Sequence, residues 1–196
     1  AELTVTVGVG RRVVEVVGAQ VPAWLAPLPA FAIDRLQPRW SGGDLLLQIC
    51  ATSPTTVAHA QRRLLAGAAG LASVRWVQRG FREPHEGPGV PMRNLFGQVD
   101  GTVQPDVAGL DADLLWSADA GPAWLRGGSS VVVRRIEMDL DGWDRVDRLS
   151  RENSIGRRLA TGAPVTGGGL DTAPDLEAVD GLGFHVVDDA AHIRRA

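Results

Sequence analysis

Residues 44 to 83 carry a strand, a helix and a second strand, and that order narrows the choice of folds more than any other feature of the chain. "DLLLQICA" (44–51) is a continuous apolar run and reads as a central strand. "SPTTVAHAQRRLLAGAAG" (53–70) has helix signals at both ends: Ser53 to cap it, Pro54 at its first position and Gly70 to end it. "ASVRWVQRGFRE" (72–83) alternates apolar and polar residues and predicts a strand.

The same kinds of element flank this unit. "ELTVTVGVG" (2–10) has a period of two and predicts a strand. "RRVVEVVGAQVPAWLAPLPAF" starts as a short helix and becomes a Pro-rich connection. Further on, "SSVVVRRIEMDL" (129–140) predicts a strand. "DGWDRVDRLSRENSIGRRLA" (141–160) predicts one helix, with Trp143, Val146 and Leu149 at helical spacing. "TGAPVTGGG" breaks it, and a poorly ordered acidic stretch leads to "AAHIRRA". The simplest description is two α+β units joined near residues 84–128, alike in architecture but not in sequence.

At 196 residues the chain is long enough to bury a core, and 44% hydrophobic with 22% charged residues is ordinary for a globular protein. A net charge of −3 and the lack of a basic run argue against nucleic acid as a partner. No apolar stretch is long enough for a membrane-spanning helix, and the chain opens on a strand pattern rather than a signal peptide. The single cysteine, Cys50, excludes an internal disulfide and a CxxC metal site; its place in "DLLLQICA" predicts a buried structural thiol. All 20 basic residues are arginine, so Schiff-base lysine chemistry is excluded. Six tryptophans and no tyrosine mean that any radical carried by this chain would sit on tryptophan.

The stretch most suggestive of chemistry is "MRNLFGQVDGTVQP" (92–105). Within it Gly97, Gln98, Val99, Asp100 and Gly101 form G-x-x-D-G. Two readings are open. Glycines let backbone run close to a flat or bulky group, with Asp100 presented to move protons. Alternatively, Asp and Gly are simply good turn formers. Leu95 and Phe96 are expected to bury against the core and hold the loop.

"RNLFGQVDGTVQP", "WLRGGSSVVVRRIEMDLDGWDR", "IGRRLATGAPVTGG" and "DDAAHIRRA", in this order, resemble the dye-decolorising (DyP-type) haem peroxidases, whose signature is the GxxDG element. The resemblance covers most of the chain, and the "NLFGQVDGT" form is most like the exported, A-type class. It implies an α+β fold of two ferredoxin-like units, antiparallel sheets with helices packed on them, and haem b between. Residues 1–90 would be the first unit, incomplete at its start. Residues 91–196 would be the second, carrying the haem site and incomplete at its end. The family pattern has a strand and helix ahead of "LTVTVG", and a distal arginine beyond "AHIRRA", so this chain resembles an internal portion of a longer enzyme.

The resemblance also implies the site. Asp100 matches the distal carboxylate that shuttles a proton between the oxygens of peroxide. His192 matches the proximal iron ligand on the opposite haem face. Gly97 and Gly101 would run against the haem, and Arg157 is a candidate propionate contact, ahead of Arg134 and Arg135. His185, in a short alternating strand, is the rival ligand; His59 reads as a surface or packed helix residue and His85 as a loop residue. The implied activity is reduction of hydrogen peroxide with oxidation of dyes or other bulky aromatic donors, outside the cytoplasm. The implied oxidation sites are surface tryptophans. The rival readings are a non-catalytic haem carrier or sensor on the same fold, and an interaction module with no cofactor.

Overall fold

The computed structural model describes residues 2–82, 91–101, 106, 109, 112–117 and 121–195. They form two compact units, Ala1–Arg79 with Ala108–Val132, and Gly80–Val107 with Val133–Ala196.

The first unit starts with β1 (Leu3–Val9), α1 (Arg11–Val16), β2 (Leu45–Ala51) and α2 (Pro54–Gly67). The two strands pair antiparallel from Leu3↔Ala51 to Val9↔Leu45. The period-two stretch and the apolar run are both strands, as expected, and they pair with each other. Among the described residues the sheet has only these two strands, so it cannot cover both faces of β2. That corrects the reading of Cys50: it lies opposite Thr4 and is exposed. Pro54 occupies the first turn of α2, while the Ser53 side chain makes no capping bond. The helix stops at Gly67, and Gly70 follows in the left-handed region at φ 81°.

The predicted strand at 72–83 is not a strand over its described residues, 72–82. Side chains hold it instead: Trp76 Nε1 donates to the Gly42 carbonyl at 2.9 Å, and Arg75 Nε donates to that of Ser41. A short helix α3 (Ala112–Leu115) and a 3-10 turn (Ala123–Leu125) complete the unit. Trp124 Nε1 donates to the Gln20 carbonyl at 3.0 Å, and Leu125 is buried.

The second unit holds β3 (Met92–Arg93), β4 (Val99–Asp100), α4 (Leu140–Arg145), α5 (Arg148–Ile155) and a 3-10 turn at His192–Arg194. The predicted strand at 129–140 joins no ladder among the described residues, and Val131, Val132 and Ile136 are exposed. The single helix predicted over 141–160 is two helices. Asp139 caps α4 by accepting from the Gly142 amide at 2.8 Å. Asp147 caps α5 by accepting from the Ser150 amide at 3.0 Å and the Ser150 hydroxyl at 2.7 Å. Those bonds, led by the hydroxyl's, hold the Asp147 carboxyl below its ordinary pKa. The break falls at Val146, so Val146 does not share a helix face with Trp143, and Leu149 is exposed.

Gly156 ends α5 at φ 93°. The acidic stretch after it is not loose, because its carboxylates build turns. Asp180 accepts from the amides of Leu182 at 2.8 Å and Phe184 at 3.0 Å, and Asp188 from that of Ala190 at 2.7 Å. The core of this unit gathers Val165, Val187 and Ala191, with Leu176 and Ile193 packed against them.

Gly156 shows why "IGR" needs its glycine. A Cβ there would lie 2.5 Å from Ile193 Cγ2, on a backbone that already favours glycine. We predict that Gly156→Ala destabilises the protein by about 1–3 kcal/mol, through overpacking and the left-handed backbone. Urea denaturation of the two proteins measures it.

Candidate functional site

The GxxDG element is part of a hairpin. Met92 pairs with Asp100 and Arg93 with Val99. Between them the Gly97 amide donates to the Asn94 carbonyl at 2.9 Å, and the Asn94 amide donates to that of Gln98 at 2.9 Å. Gly97 sits at φ 77°, which makes this a tight turn closed by a glycine bulge. The turn reading of these residues is therefore correct as far as backbone goes. It also corrects Leu95. At one of the turn's two central positions, Leu95 is 62% exposed rather than buried. Phe96 does pack: its ring meets Trp143 edge-on at 5.1 Å between centroids, and Trp143 Nε1 donates to the Phe96 carbonyl at 2.9 Å.

Asn94 knots the loop from inside. Its Oδ1 accepts from the amides of Phe96 at 3.0 Å and Gln98 at 3.3 Å, while its Nδ2 donates to Asp100 Oδ2 at 3.2 Å. Asp100 Oδ1 accepts from the Gly101 amide at 2.8 Å, with Gly101 at φ 79°. Asp100 is thus held at both oxygens yet remains exposed. Gln98, beside it in sequence, is only 3% exposed, and neither polar atom of its side chain has a partner. A cleft of about 420 Å³ opens beside the loop, lined by Leu95, Phe96, Gly97, Arg148, Arg151 and Leu159.

A buried carboxylate organises the neighbouring turn. Glu152 is 4% exposed and accepts from Arg148 Nε at 3.0 Å, Arg158 at 3.1 Å and the Leu159 amide at 2.9 Å. Burial pushes its pKa up, but the bonds from Arg148, the Leu159 amide and Arg158 outweigh burial and hold it below 4.5. Arg157 donates from Nη1 to the carbonyls of Gly162 at 2.7 Å and Leu170 at 3.1 Å, and from Nη2 to that of Thr172 at 3.4 Å. It is first of all a loop-closing residue.

His192 opens the last 3-10 turn and is exposed. Its neighbours anchor the turn. Ile193 packs on the core, and Arg194 donates to the carbonyls of Val187, at 3.2 Å, and Leu176. The His192 ring makes no hydrogen bond among the described residues. His185, by contrast, has its Nδ1 hydrogen-bonded to Asp189 Oδ1 at 2.8 Å, which holds the Asp189 carboxyl below its usual pKa. His59 is exposed on α2, while His85 lies outside the described residues. Arg134 and Arg135 are exposed in the stretch before α4. Sequence reasoning missed Arg93, Asn94 and Glu152. Only Asn94 had a local signal, an Asn three residues ahead of a Gly.

Family models agree with these observations over nearly the whole chain. Residues 1–82 match the Dyp-type peroxidase N-terminal model and residues 91–196 the Dyp-type peroxidase C-terminal model. The chain belongs to the Dyp-type peroxidase family. The dye-decolorizing peroxidase of Thermobifida fusca is 42% identical over all of this chain and 48% of its own length. The deferrochelatase of Escherichia coli K12 is 36% identical over 99% of this chain and 48% of its own. Among solved structures, the DyP-type peroxidase of Cellulomonas bogoriensis superposes with a TM-score of 0.92 at 54% identity, covering this whole chain and 55% of that one. Ferric DtpA of Streptomyces lividans gives 0.90 at 42%, covering 98% and 54%. The chain therefore spans about half the length of the relatives it matches. Its fold is the α+β, ferredoxin-like one expected from the sequence.

The Glu152 cluster carries a pH dependence. The carboxyl's pKa is depressed in the folded state, so its stabilisation is complete above its unfolded pKa and is lost as pH falls through the folded one. We predict that Glu152→Gln lowers stability at pH 7 by on the order of 1–3 kcal/mol. The variant should lose less than the wild type as pH drops below 4.5, the ordinary value for this group. Denaturation midpoints at pH 7 and pH 3 measure both effects.

Proposed function

We propose that the protein carrying this chain is a haem-dependent peroxidase that reduces hydrogen peroxide and oxidises bulky aromatic donors, dyes among them. The observation that carries the reading is Asp100, a carboxylate fixed at both oxygens on a rigid hairpin and still exposed, in a chain that belongs to this family.

The residues present suit a haem. A porphyrin brings its own equatorial nitrogens, so the protein need supply one axial donor. His192 offers an exposed imidazole on an anchored turn with no competing hydrogen bond among the described residues. Asp100 supplies a carboxylate, and Arg157 is the candidate partner for a propionate, with its Nη1 already on two carbonyls and its Nη2 on a third at 3.4 Å. When bound, the haem supplies the iron that receives peroxide and the electrons that cleave its O–O bond. Asp100 takes the proton from one peroxide oxygen and returns it to the other, so that the leaving oxygen departs as water. The bond from Asn94 keeps the carboxylate in place during that exchange. His192 would hold the haem iron and Asp100 would serve the bound peroxide, and both come from the unit proposed over residues 91–196.

Donors too large to reach a haem would deliver electrons to a surface tryptophan. Trp24, Trp116 and Trp124 are exposed. The "NLFGQVDGT" form supports the exported class and hence action outside the cytoplasm.

An absorption spectrum before and after one equivalent of peroxide tests the reading. A Soret band that changes promptly supports the peroxidase, a band that does not respond supports a carrier, and no band refutes both. His192→Ala should lose haem while His185→Ala retains it; equal haem content in His192→Ala and wild type would remove the ligand assignment. Asp100→Asn should slow peroxide consumption by on the order of a hundredfold, and an unchanged rate would leave Asp100 as a turn residue only.

A further inference from the structure

The hairpin that carries Asp100 does not stand alone. Arg93 Nη1 donates to the carbonyl of Gly97, in its own loop, at 2.7 Å, and to that of Leu159 at 2.6 Å. Arg93 Nη2 donates to the Ala160 carbonyl at 3.1 Å. One planar cation thus joins segments 66 residues apart. A second contact runs alongside it. Val99, the strand partner of Arg93, packs so closely on Gly162 that a Cβ there would lie 2.9 Å from Val99 Cβ. The carbonyl of the same Gly162 receives Arg157 Nη1. Asp100 follows Val99 directly, so its place relative to Arg157 is set by how the hairpin docks on residues 159–162.

The guanidinium suits this task for a physical reason. Carbonyl oxygens of two turns have no reason to approach each other without a shared donor. A planar fork with several N–H groups satisfies them together, and its charge strengthens each bond. A lysine ammonium is a compact point charge that cannot span the same set.

We propose that Arg93 is a positioning residue for the peroxide reaction: it clamps the Asp100 hairpin to the turn held by Arg157, and Asn94 then aims the carboxylate within the clamped loop. This rests on the peroxidase reading above, and it assigns Arg93 no contact with peroxide or haem.

The test uses the haem-loaded protein and its Arg93→Met, Arg93→Lys and Asp147→Ala variants. Asp147→Ala serves as the control, because it removes a helix cap in the same unit without touching the hairpin. Amide hydrogen exchange is followed by peptide mass spectrometry in segments 94–101 and 157–162, together with haem content and the rate of reaction with peroxide. In Arg93→Met, exchange in both segments should accelerate together, and the peroxide rate should fall by on the order of tenfold or more, as expected for a displaced catalytic group. Haem content should be retained, and Arg93→Lys should recover part of the rate. Asp147→Ala should lower the melting temperature while leaving the rate and both segments as in wild type. Exchange that rises in 94–101 alone would overturn the clamp. A rate in Arg93→Met equal to that of wild type or of Asp147→Ala would overturn the positioning role. A wild type without a Soret band would count against the peroxidase reading instead, and coupled exchange in the two segments would still decide whether the clamp exists.

Discussion

The second unit depends on one buried charge. Glu152 lies inside with almost no exposure, a placement that would be costly for a lone carboxylate. Here two arginines and a backbone amide surround it. The Arg148 bond stays within α5, while those from Arg158 and the Leu159 amide tie the helix to the turn beyond Gly156. The left-handed glycine makes that reversal possible, and the carboxylate fixes where it leads. Leu159 and Ala160 then present the carbonyls that Arg93 uses, and Gly162 the surface on which Val99 rests. Loss of the Glu152 charge would loosen the platform before it touched the hairpin.

The sequence made the parts of this arrangement legible more readily than their joints. β1, α1, β2 and α2 lie where period and capping place them, because those signals are local. G-x-x-D-G was visible as a motif, and its turn chemistry followed from residue type. The stretches at 72–83 and 129–140 have strand composition, yet alternation only says which side chains share a face. It does not say which strand will pair, and no described strand does. Apolar spacing predicts one helix over 141–160, whereas Asp147 caps a second helix within it; a cap accepting bonds at short range outweighs a weak apolar stripe. The apolar neighbours of Cys50 predict burial, whereas among the described residues its sheet has two strands and Cys50 is exposed.

The site shows the same contrast. G-x-x-D-G drew attention to Asp100 from its residues alone, but the roles proposed for His192 and Asp100 came only through resemblance, since nothing in their spacing implies a ligand or an acid. Arg93 had no signal at all. Its partners are carbonyl groups, which every residue possesses, and two of the three come from 66 and 67 residues away. Long-range bonds from side chain to backbone leave no pattern in composition or period.

A lone acid between glycines is therefore explained in layers. Gly97 supplies the left-handed bulge that closes the hairpin, and Gly101 supplies another left-handed residue whose amide turns back onto Asp100 Oδ1. Asn94 takes the other oxygen. With both oxygens directed, the carboxylate has little freedom to rotate, and catalysis by proton transfer rewards a group that need not be reoriented at each step. Leu95 takes one of the turn's two central positions and is left in solvent. Phe96 compensates by packing on Trp143, and the indole N–H holds the loop by the carbonyl of that same residue. Of the turn's two central side chains, one is thus left in solvent while the other anchors the loop that carries Asp100.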